Sequence, residues 1–569
     1  METTKAKVGY LFTAGYIALC ACVSAILIQT GNAVYEAGTG DHLVISPAGL
    51  LRNDSSLYLN DYFVREARMP HWAFEIYTAV GSRLGLLGPM YFAYWLTAIS
   101  FCSYAHLVIS RHVSRKFSYA LALIMLTTQV MGTRTMFGTS AVVLNQALPH
   151  SLAASIGFLV LAFLLTKRRN LVFIYLPILP LIHIQIGTIV VFLVGVLVVL
   201  ERVSGQPIKR QHVALYVTSL VSVLFGLSYR PIAGNIQDFS RLCRDLAPHH
   251  CYAPSWSSSI LEGCFIILTI AMIGTVLIGK SVLNIRERVT LYLLPLVALT
   301  ISLILDRNNF GWLADFIRGN NVYRVAVVLL PWVYWVPVFL IFSKGRKIWR
   351  YGGALISAVL LVQLMSLGEH GNYFESRQLP LFLLLVFITA IACVEKYGWF
   401  RDFRYVPALM VILASFPGLS GLKLGQDQFS MPKTTFQPDR NVVEFGEALR
   451  LDVTVGQIVV GDPRLSWIRM ASGVAYGVDC KFRPIGGGPP LYEYYDRVNP
   501  LGGYDKACNQ GSFSTVNVNS LIEYIEASSA DLLLISSDDL RLQELKLKGW
   551  QVEHSVHMRP FGLVLVSKT

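Results

Sequence analysis

The sequence predicts an α-helical polytopic membrane protein, with about 11 to 13 transmembrane helices and a small C-terminal α/β soluble domain. Three observations predict it. Hydrophobic residues make up 54% of the 569 and charged residues only 15%, whereas a soluble globular chain carries about a quarter charged residues. Apolar blocks near bilayer length, about 20 residues, recur from residue 8 to about residue 420. Beyond 421 the apolar runs shorten and alternate with amphipathic segments. A purely soluble enzyme, a disordered chain and a single-span anchored protein are excluded. The domains expected are 1–420, a transmembrane unit with an outer loop at 30–83, and 421–569, an extracytoplasmic α/β unit.

The first block, 8–29, follows only Lys5 and Lys7, shows no small-residue cleavage site and precedes further spans. It reads as a retained helix and not a signal peptide. Further blocks lie near 84–110, 117–132, 151–166, 212–228, 262–279, 289–305, 325–343, 352–367, 378–394 and 404–420. The block 171–200 is long for one crossing and short for two, and Pro177, Pro180, His183, Gln185 and Gly187 interrupt it. It reads as two short helices or a re-entrant pair, which membrane depth tolerates only where protein or a water-filled cavity covers the broken backbone. Short Lys/Arg-rich loops at 111–116, 167–169, 202–210, 280–288, 344–350 and 396–404 belong in the cytoplasm by the positive-inside rule. The N-terminus is then cytoplasmic. The loops 30–83, 133–150, 229–261, 306–324 and 368–377 and the C-terminal domain are then periplasmic, on a chain in the inner (plasma) membrane.

Net charge is +13, but the stretch 421–569 carries 15 Lys and Arg against 17 Asp and Glu. The basic excess therefore belongs to the membrane part, where much of it is topological. It is no nucleic-acid footprint, which would be a basic patch on a folded soluble face. Every Lys before 421 falls on the predicted inner side, while the outer basic residues there are all Arg: 52, 65, 68, 83, 134, 230, 241, 244, 307, 318, 324 and 377. Guanidinium grips phosphate with two donors at once. An outer cavity for a phosphorylated lipid headgroup is one reading, and ion pairs with nearby acids the other. Arg134, Arg307, Arg324 and Arg377, each beside a span, are the candidates for phosphate contact.

Of nine cysteines, Cys243 and Cys251 share one outer loop and Cys480 and Cys508 share the C-terminal domain. Two outside pairs predict two disulfides in an oxidising compartment. A zinc site at Cys243, His249, His250 and Cys251 has the wrong spacing for a usual finger. In the tail, 457–461 and 531–537 read as strands, 518–527 and 539–548 as helices, and 550–557 with 562–568 as a hairpin. The stretch 420–440 reads as a linker. Gly486, Gly487 and Gly488 lack the Gly-Lys-Ser/Thr ending of a phosphate loop and read as a flexible loop followed by Tyr492, Tyr494 and Tyr495, which could stack on a sugar.

The first outer loop carries Arg52-Asn53-Asp54-Ser55-Ser56-Leu57-Tyr58-Leu59-Asn60-Asp61-Tyr62-Phe63. Asp54 and Asp61 lie about two helical turns apart, so one helix could aim both the same way. A carboxylate there could take a proton from an acceptor hydroxyl or hold a metal against phosphate. Surface acids paired with neighbouring Arg is the alternative. The segment DSSLYLNDYF resembles the first loop of the GT-C superfamily of polytopic glycosyltransferases, which use polyprenyl-phosphate sugars. Ile182-His183-Ile184-Gln185-Ile186-Gly187 resembles a His-Pro-x-x-Gly element of bacterial members, with Ile184 in place of the Pro. Arg469, Val478-Asp479-Cys480-Lys481 and Tyr494-Tyr495-Asp496-Arg497 resemble the soluble domain of some bacterial members.

The resemblance implies inverting transfer of a sugar from a polyprenyl-phosphate donor to a cell-envelope glycan or lipid acceptor on the outer face. Asp61 or Asp54 would be the general base. His183, Gln185, Tyr495 and Arg497 would contact substrate. No cofactor is assigned, and a divalent metal ion (Mg or Mn) is the option that the carboxylates leave open. The expected partners are the lipid donor, the glycan or glycolipid acceptor and membrane lipids, with no nucleic acid. Two rival functions stand beside this one: a polymerase or ligase of lipid-linked glycans, and a transporter or flippase. Against the last, no half-to-half similarity is seen and the acids sit at span ends.

Overall fold

The structure, a computed structural model, describes residues 37–66, 71–115, 117–131, 146–229, 236–256, 284–342, 440–482, 488–554 and 562–568, with isolated residues elsewhere. In chain order the helices of the first part are α1 (His42–Asn53), α2 (Trp72–Arg83), α3 (Leu87–Val113), α4 (Ser118–Met131), α5 (Pro149–Leu165), α6 (Arg169–Ile182), α7 (Ile184–Val203), α8 (Arg210–Ser228), α9 (Ile236–Asp245), α10 (Ile285–Arg307), α11 (Gly311–Asn320) and α12 (Ala326–Phe342). Among the described residues α3, α7, α8 and α10 are long and apolar enough to cross a bilayer. These runs are helical because a helix satisfies its own backbone groups where no water can. The predicted spans at 352–367, 378–394 and 404–420, most of 8–29 and 262–279, and the 420/421 boundary lie outside the described residues.

The interrupted block resolves as a hairpin of unequal arms. Fourteen-residue α6 contains a tight 3₁₀ turn at Leu176–Ile178, where Pro177 removes a donor. The chain then breaks at His183, which is extended (φ −149°, ψ 108°), before the 20-residue α7 begins. Arg169 at the foot of α6 pairs with Glu201 near the foot of α7, so both feet lie together and His183 is the apex. Gly187 permits this close crossing, because a Cβ there would stand 2.3 Å from the Pro180 nitrogen.

At the apex end a polar layer covers the bundle. Asp306, wholly buried, accepts from Arg318 Nε at 2.6 Å, from the Ala253 amide at 2.9 Å and from the Tyr323 hydroxyl. It thereby ties α10, α11 and the 251–255 turn together. Cys243 and Cys251 are disulfide-bonded in this layer, as are Cys480 and Cys508 in the tail.

The C-terminal part is a small α/β unit: α13 (Arg440–Asp452), β1 (Ile458–Val460), α14 (Trp467–Ser472), β2 (Ala475–Tyr476), α15 (Pro489–Val498), α16 (Val518–Ala527), β3 (Leu532–Ser536), α17 (Arg541–Leu547), β4 (Trp550–His554) and β5 (Leu563–Lys568). The sheet order is β2-β1-β3-β5-β4. β2, β1 and β3 run parallel, and β5 and β4 are antiparallel. Strand alternation sends Leu533 and Ile535 into one core layer and Leu532 and Leu534 into the other. Tyr492, Tyr494 and Tyr495 stand on a helix, α15, because Pro489 and Pro490 open it at positions that need no amide donor. α15 lies on α9, with Tyr492 bonded to Asp238, Tyr495 to Asp245 at 3.3 Å, and Arg241 over the Tyr495 ring at 4.4 Å. The soluble unit therefore sits on the 229–261 segment, predicted to be an outer loop, at the apex end of the hairpin.

Candidate active site

The loop singled out by the sequence is a junction between the two parts. Asp54 ends α1 and Asp61 precedes the short helical turn Tyr62–Glu66. Tyr58 and Asn60 between them hold positive φ, 53° and 66°, which interrupts any helix. The two carboxylates therefore do not share a helical face. The Tyr58 amide donates to the Gly473 carbonyl at 2.7 Å and Asn60 Nδ2 to the Gly456 carbonyl at 2.7 Å. Asp61 is 2% exposed. One of its oxygens accepts from Arg469 Nε (2.7 Å) and the Tyr476 amide (3.1 Å), the other from the Val64 amide (3.1 Å). Arg469, fully buried, also pairs with Asp479. Asp61 is thus a docking carboxylate with both oxygens engaged. Asp54 is more open. It accepts from the Ser56 hydroxyl (2.6 Å) and amide (3.0 Å) and lies 3.6 Å from Arg450. The hydroxyl bond first, and the amide bond with it, hold its carboxyl below the ordinary value.

A second constellation forms around the hairpin apex. His183 caps the start of α7, and its Nδ1 accepts the Ile186 amide at 3.4 Å. The ring of His71, which precedes α2, stands 5.1 Å from it, and that of His150, at the start of α5, stands 5.8 Å away. Arg324, in the turn before α12, donates Nη1 to His150 Nδ1 at 2.8 Å. Guanidinium has no acceptor, so His150 carries its neutral-form proton on Nε2, and His183 does likewise. Arg324 Nε and His71 Nδ1 are buried with no partner among the described residues. Burial, then the Arg324 charge, push the His71 imidazole down to about 4, so it is neutral at pH 7.

Among the described residues the carboxylate with an electrostatic contact to Arg324 is Asp41, immediately before α1. It lies 2.8 Å from Lys481 Nζ of the soluble unit. Its place is set by the 146–147 segment leading into α5. Gln146 Oε1 accepts the Asp41 amide at 3.2 Å, and Gln146 Nε2 donates to the Thr39 carbonyl at 2.9 Å. Wholly buried His42 donates Nε2 to the Ala147 carbonyl at 2.9 Å and accepts the Gly38 amide at 3.0 Å. Gly40 is required there, with φ +54° and a would-be Cβ 2.5 Å from Gln146. Asp54 lies at the other end of α1, about 20 Å away at 1.5 Å per residue.

Of the predicted site residues, Arg324 and His183 are brought together. Gln185 is half-buried next to the apex and Arg307 is exposed at the end of α10, while Arg134 and Arg377 lie outside the described residues. Tyr495 is engaged by α9. Buried Arg497 donates to the Gly477 carbonyl at 2.9 Å and pairs with Glu493 at 2.7 Å. Not among the predicted site residues are Asp41, His71, His150 and Lys481, although Lys481 stood in the segment Val478-Asp479-Cys480-Lys481 that carried the resemblance. For Asp41 a signal existed, since Gly-Asp-His directly before an apolar helix is a helix-start pattern. For His71 none did, because it is distant in the chain from the rest of the cluster. Among the described residues no three His, Cys, Asp or Glu side chains are arranged to hold a metal ion, and no step below passes through one.

No protein-family model and no curated protein matches the chain. Among solved structures, the crystal structure of ArnT from Cupriavidus metallidurans in the apo state is similar with a TM-score of 0.46 at 12% identity, over 99% of this chain and 98% of that one.

Proposed function

We propose that the protein transfers a sugar from a polyprenyl-phosphate donor to a cell-envelope glycan or lipid acceptor at the outer face of the membrane, with inversion. The observation that carries this reading is the buried Arg324 guanidinium. Its Nε has no partner among the described residues, and it stands among three imidazoles with one carboxylate close by. Such a set of N–H donors suits a phosphate oxygen cluster. Its position at the apex of a membrane hairpin, under a polar outer layer, suits a phosphate borne on a lipid. In the reaction the acceptor hydroxyl gives its proton to a carboxylate as its oxygen bonds to the anomeric carbon. The bond from that carbon to the phosphate oxygen breaks, and the electron pair leaves on the lipid phosphate, where Arg324 and the imidazole N–H groups stabilise it. We assign the base to Asp41 rather than Asp54 or Asp61. Asp41 is the carboxylate beside the cluster, Asp61 has both oxygens engaged, and Asp54 is a helix length away.

The test is mass spectrometry of envelope glycolipids and polysaccharides from cells carrying the intact gene, a deletion, or Asp41→Asn or Arg324→Gln at equal protein level. The reading expects one glycan to lose a sugar on deletion and neither variant to restore it. Full restoration by both variants rejects the site. A deletion that leaves every glycan intact rejects the function.

A further inference from the structure

The soluble unit is clamped to the membrane part at both ends of α1. At one end Asp61, Arg469 and Asp479 form a buried ion cluster, with the Tyr58 and Asn60 contacts beside it. At the other end Lys481 reaches Asp41. On the soluble side a single residue, Cys480, separates the two clamps. Asp479, which pairs with Arg469, also accepts the Lys481 amide at 2.9 Å. Ser466 Oγ lies 3.2 Å from that amide, and Cys480 between them is bonded to Cys508. The Lys481 backbone is therefore held by a disulfide neighbour, an Asx-type turn and a buried ion cluster. Burying ions costs several kcal/mol each before their attraction is counted, and a nonpolar interface would have joined the two parts at lower desolvation cost. What this cluster adds is a defined register.

We infer that Lys481 is a phosphate-contacting residue of the site, supplied by the C-terminal domain, and that the site is complete only when that domain is docked. The inference rests on the reading of the apex cluster as a lipid-phosphate site. Lys481 is a point charge on a flexible stem, its side chain 36% exposed, and Asp41 is the acid it meets among the described residues. An incoming phosphate offers the ammonium a stronger acceptor. The contact then passes from Asp41 to the phosphate. The soluble domain thus takes part in donor recognition.

The experiment uses the full chain in nanodiscs and two probes, a polyprenyl phosphate without sugar and the corresponding polyprenol. Wild type is expected to prefer the phosphate. Lys481→Met should weaken phosphate binding by about ten- to a hundredfold, the range of a charge-assisted contact. Polyprenol binding should not change, and Lys481→Arg should stay within about threefold of wild type. A covalent tether separates contact from docking. The Leu57 Cβ and an ideal Cβ on Gly473 lie 4.0 Å apart, within disulfide range, so Leu57→Cys with Gly473→Cys holds the domain in place, at a cost of about 1–2 kcal/mol for a side chain at φ +72°. If Lys481→Met stays weak in the tethered protein, the contact is direct. If tethering restores binding, or if Lys481→Met binds the phosphate like wild type, the inference is overturned. If wild type itself shows no preference for phosphate, the underlying site reading falls, and the inference with it.

Discussion

Replacing Asp61 by Asn separates docking from chemistry. Asp61 accepts three N–H groups: Arg469 Nε at 2.7 Å and the Tyr476 amide at 3.1 Å on one oxygen, and the Val64 amide at 3.1 Å on the other. A side-chain amide has one oxygen and one NH₂. With its oxygen kept on Arg469 and Tyr476, the NH₂ faces the Val64 N–H, and that donor is left unpaired. A hydrogen bond to a charged group contributes about 1.5–3 kcal/mol, and an unpaired buried donor costs about 1–3 kcal/mol. Relief of the repulsion between Asp61 and Asp479 across Arg469 offsets part of this. The net cost is about 3 kcal/mol, roughly a hundredfold in the opening equilibrium of the loop. Hydrogen exchange read by mass spectrometry on peptides spanning 58–66 should show the Val64 amide losing protection by that factor. Asp41→Asn should leave that protection unchanged and lower the transfer rate by about 10²- to 10⁴-fold, the range for a general base. If Asp61→Asn kept the protection yet lost transfer as deeply as Asp41→Asn, Asp61 would be the reacting carboxylate and the assignment would be refuted.

Gly187→Ala should destabilise the hairpin and reduce the yield of folded protein, because its Cβ would meet backbone at Pro180; a thermal unfolding scan in detergent checks it. Removing both Cys480 and Cys508, as Ser, opens a loop with a sequence separation of 28, and the loop-closure estimate is about 3.5 kcal/mol. Proteolysis within 480–508 should rise accordingly. His42 is pushed down to about 4, chiefly by burial, and its Nδ1 already accepts an amide, so the folded state resists protonation. Between about pH 6.5 and 4 the unfolded chain binds the extra proton. Stability should therefore rise with pH through that window and fall on acidification, by on the order of 3 kcal/mol from this group. His42→Gln should flatten the slope of unfolding free energy against pH. Arg324→Gln should raise the KM for the lipid donor at least tenfold while thermal stability stays near wild type, since the position lacks a partner on Nε.

Elements built from local pattern were legible in the sequence. The apolar blocks, the strand at 532–536, the helix at 518–527 and the closing antiparallel pair follow from periodicity and turn residues, which act within a dozen residues. The interruptions at Pro177 and Gly187 and the basic loops at either end announced a broken segment with both ends on one side, but not which residues would hold its feet together. That outcome depends on Arg169 finding Glu201. Asp54 and Asp61 drew attention because they are close in sequence, and closeness in sequence says nothing of what opposes a side chain. Asp61 met a buried arginine 408 residues on.

By itself, then, the sequence determined the membrane character, the soluble tail and the arginine bias of the loops predicted to be outer. These are set by burial of apolar surface and by charge bias, which are properties of each segment taken alone. Only the tertiary structure decided which carboxylate stands beside a basic cluster. That cluster collects His71, His150, His183, Arg324 and Lys481 from five separate segments. Electrostatic contacts act over a few ångströms of space and carry no periodic trace along the chain, so this assembly exists only once the hairpin, the loops and the docked domain are in place.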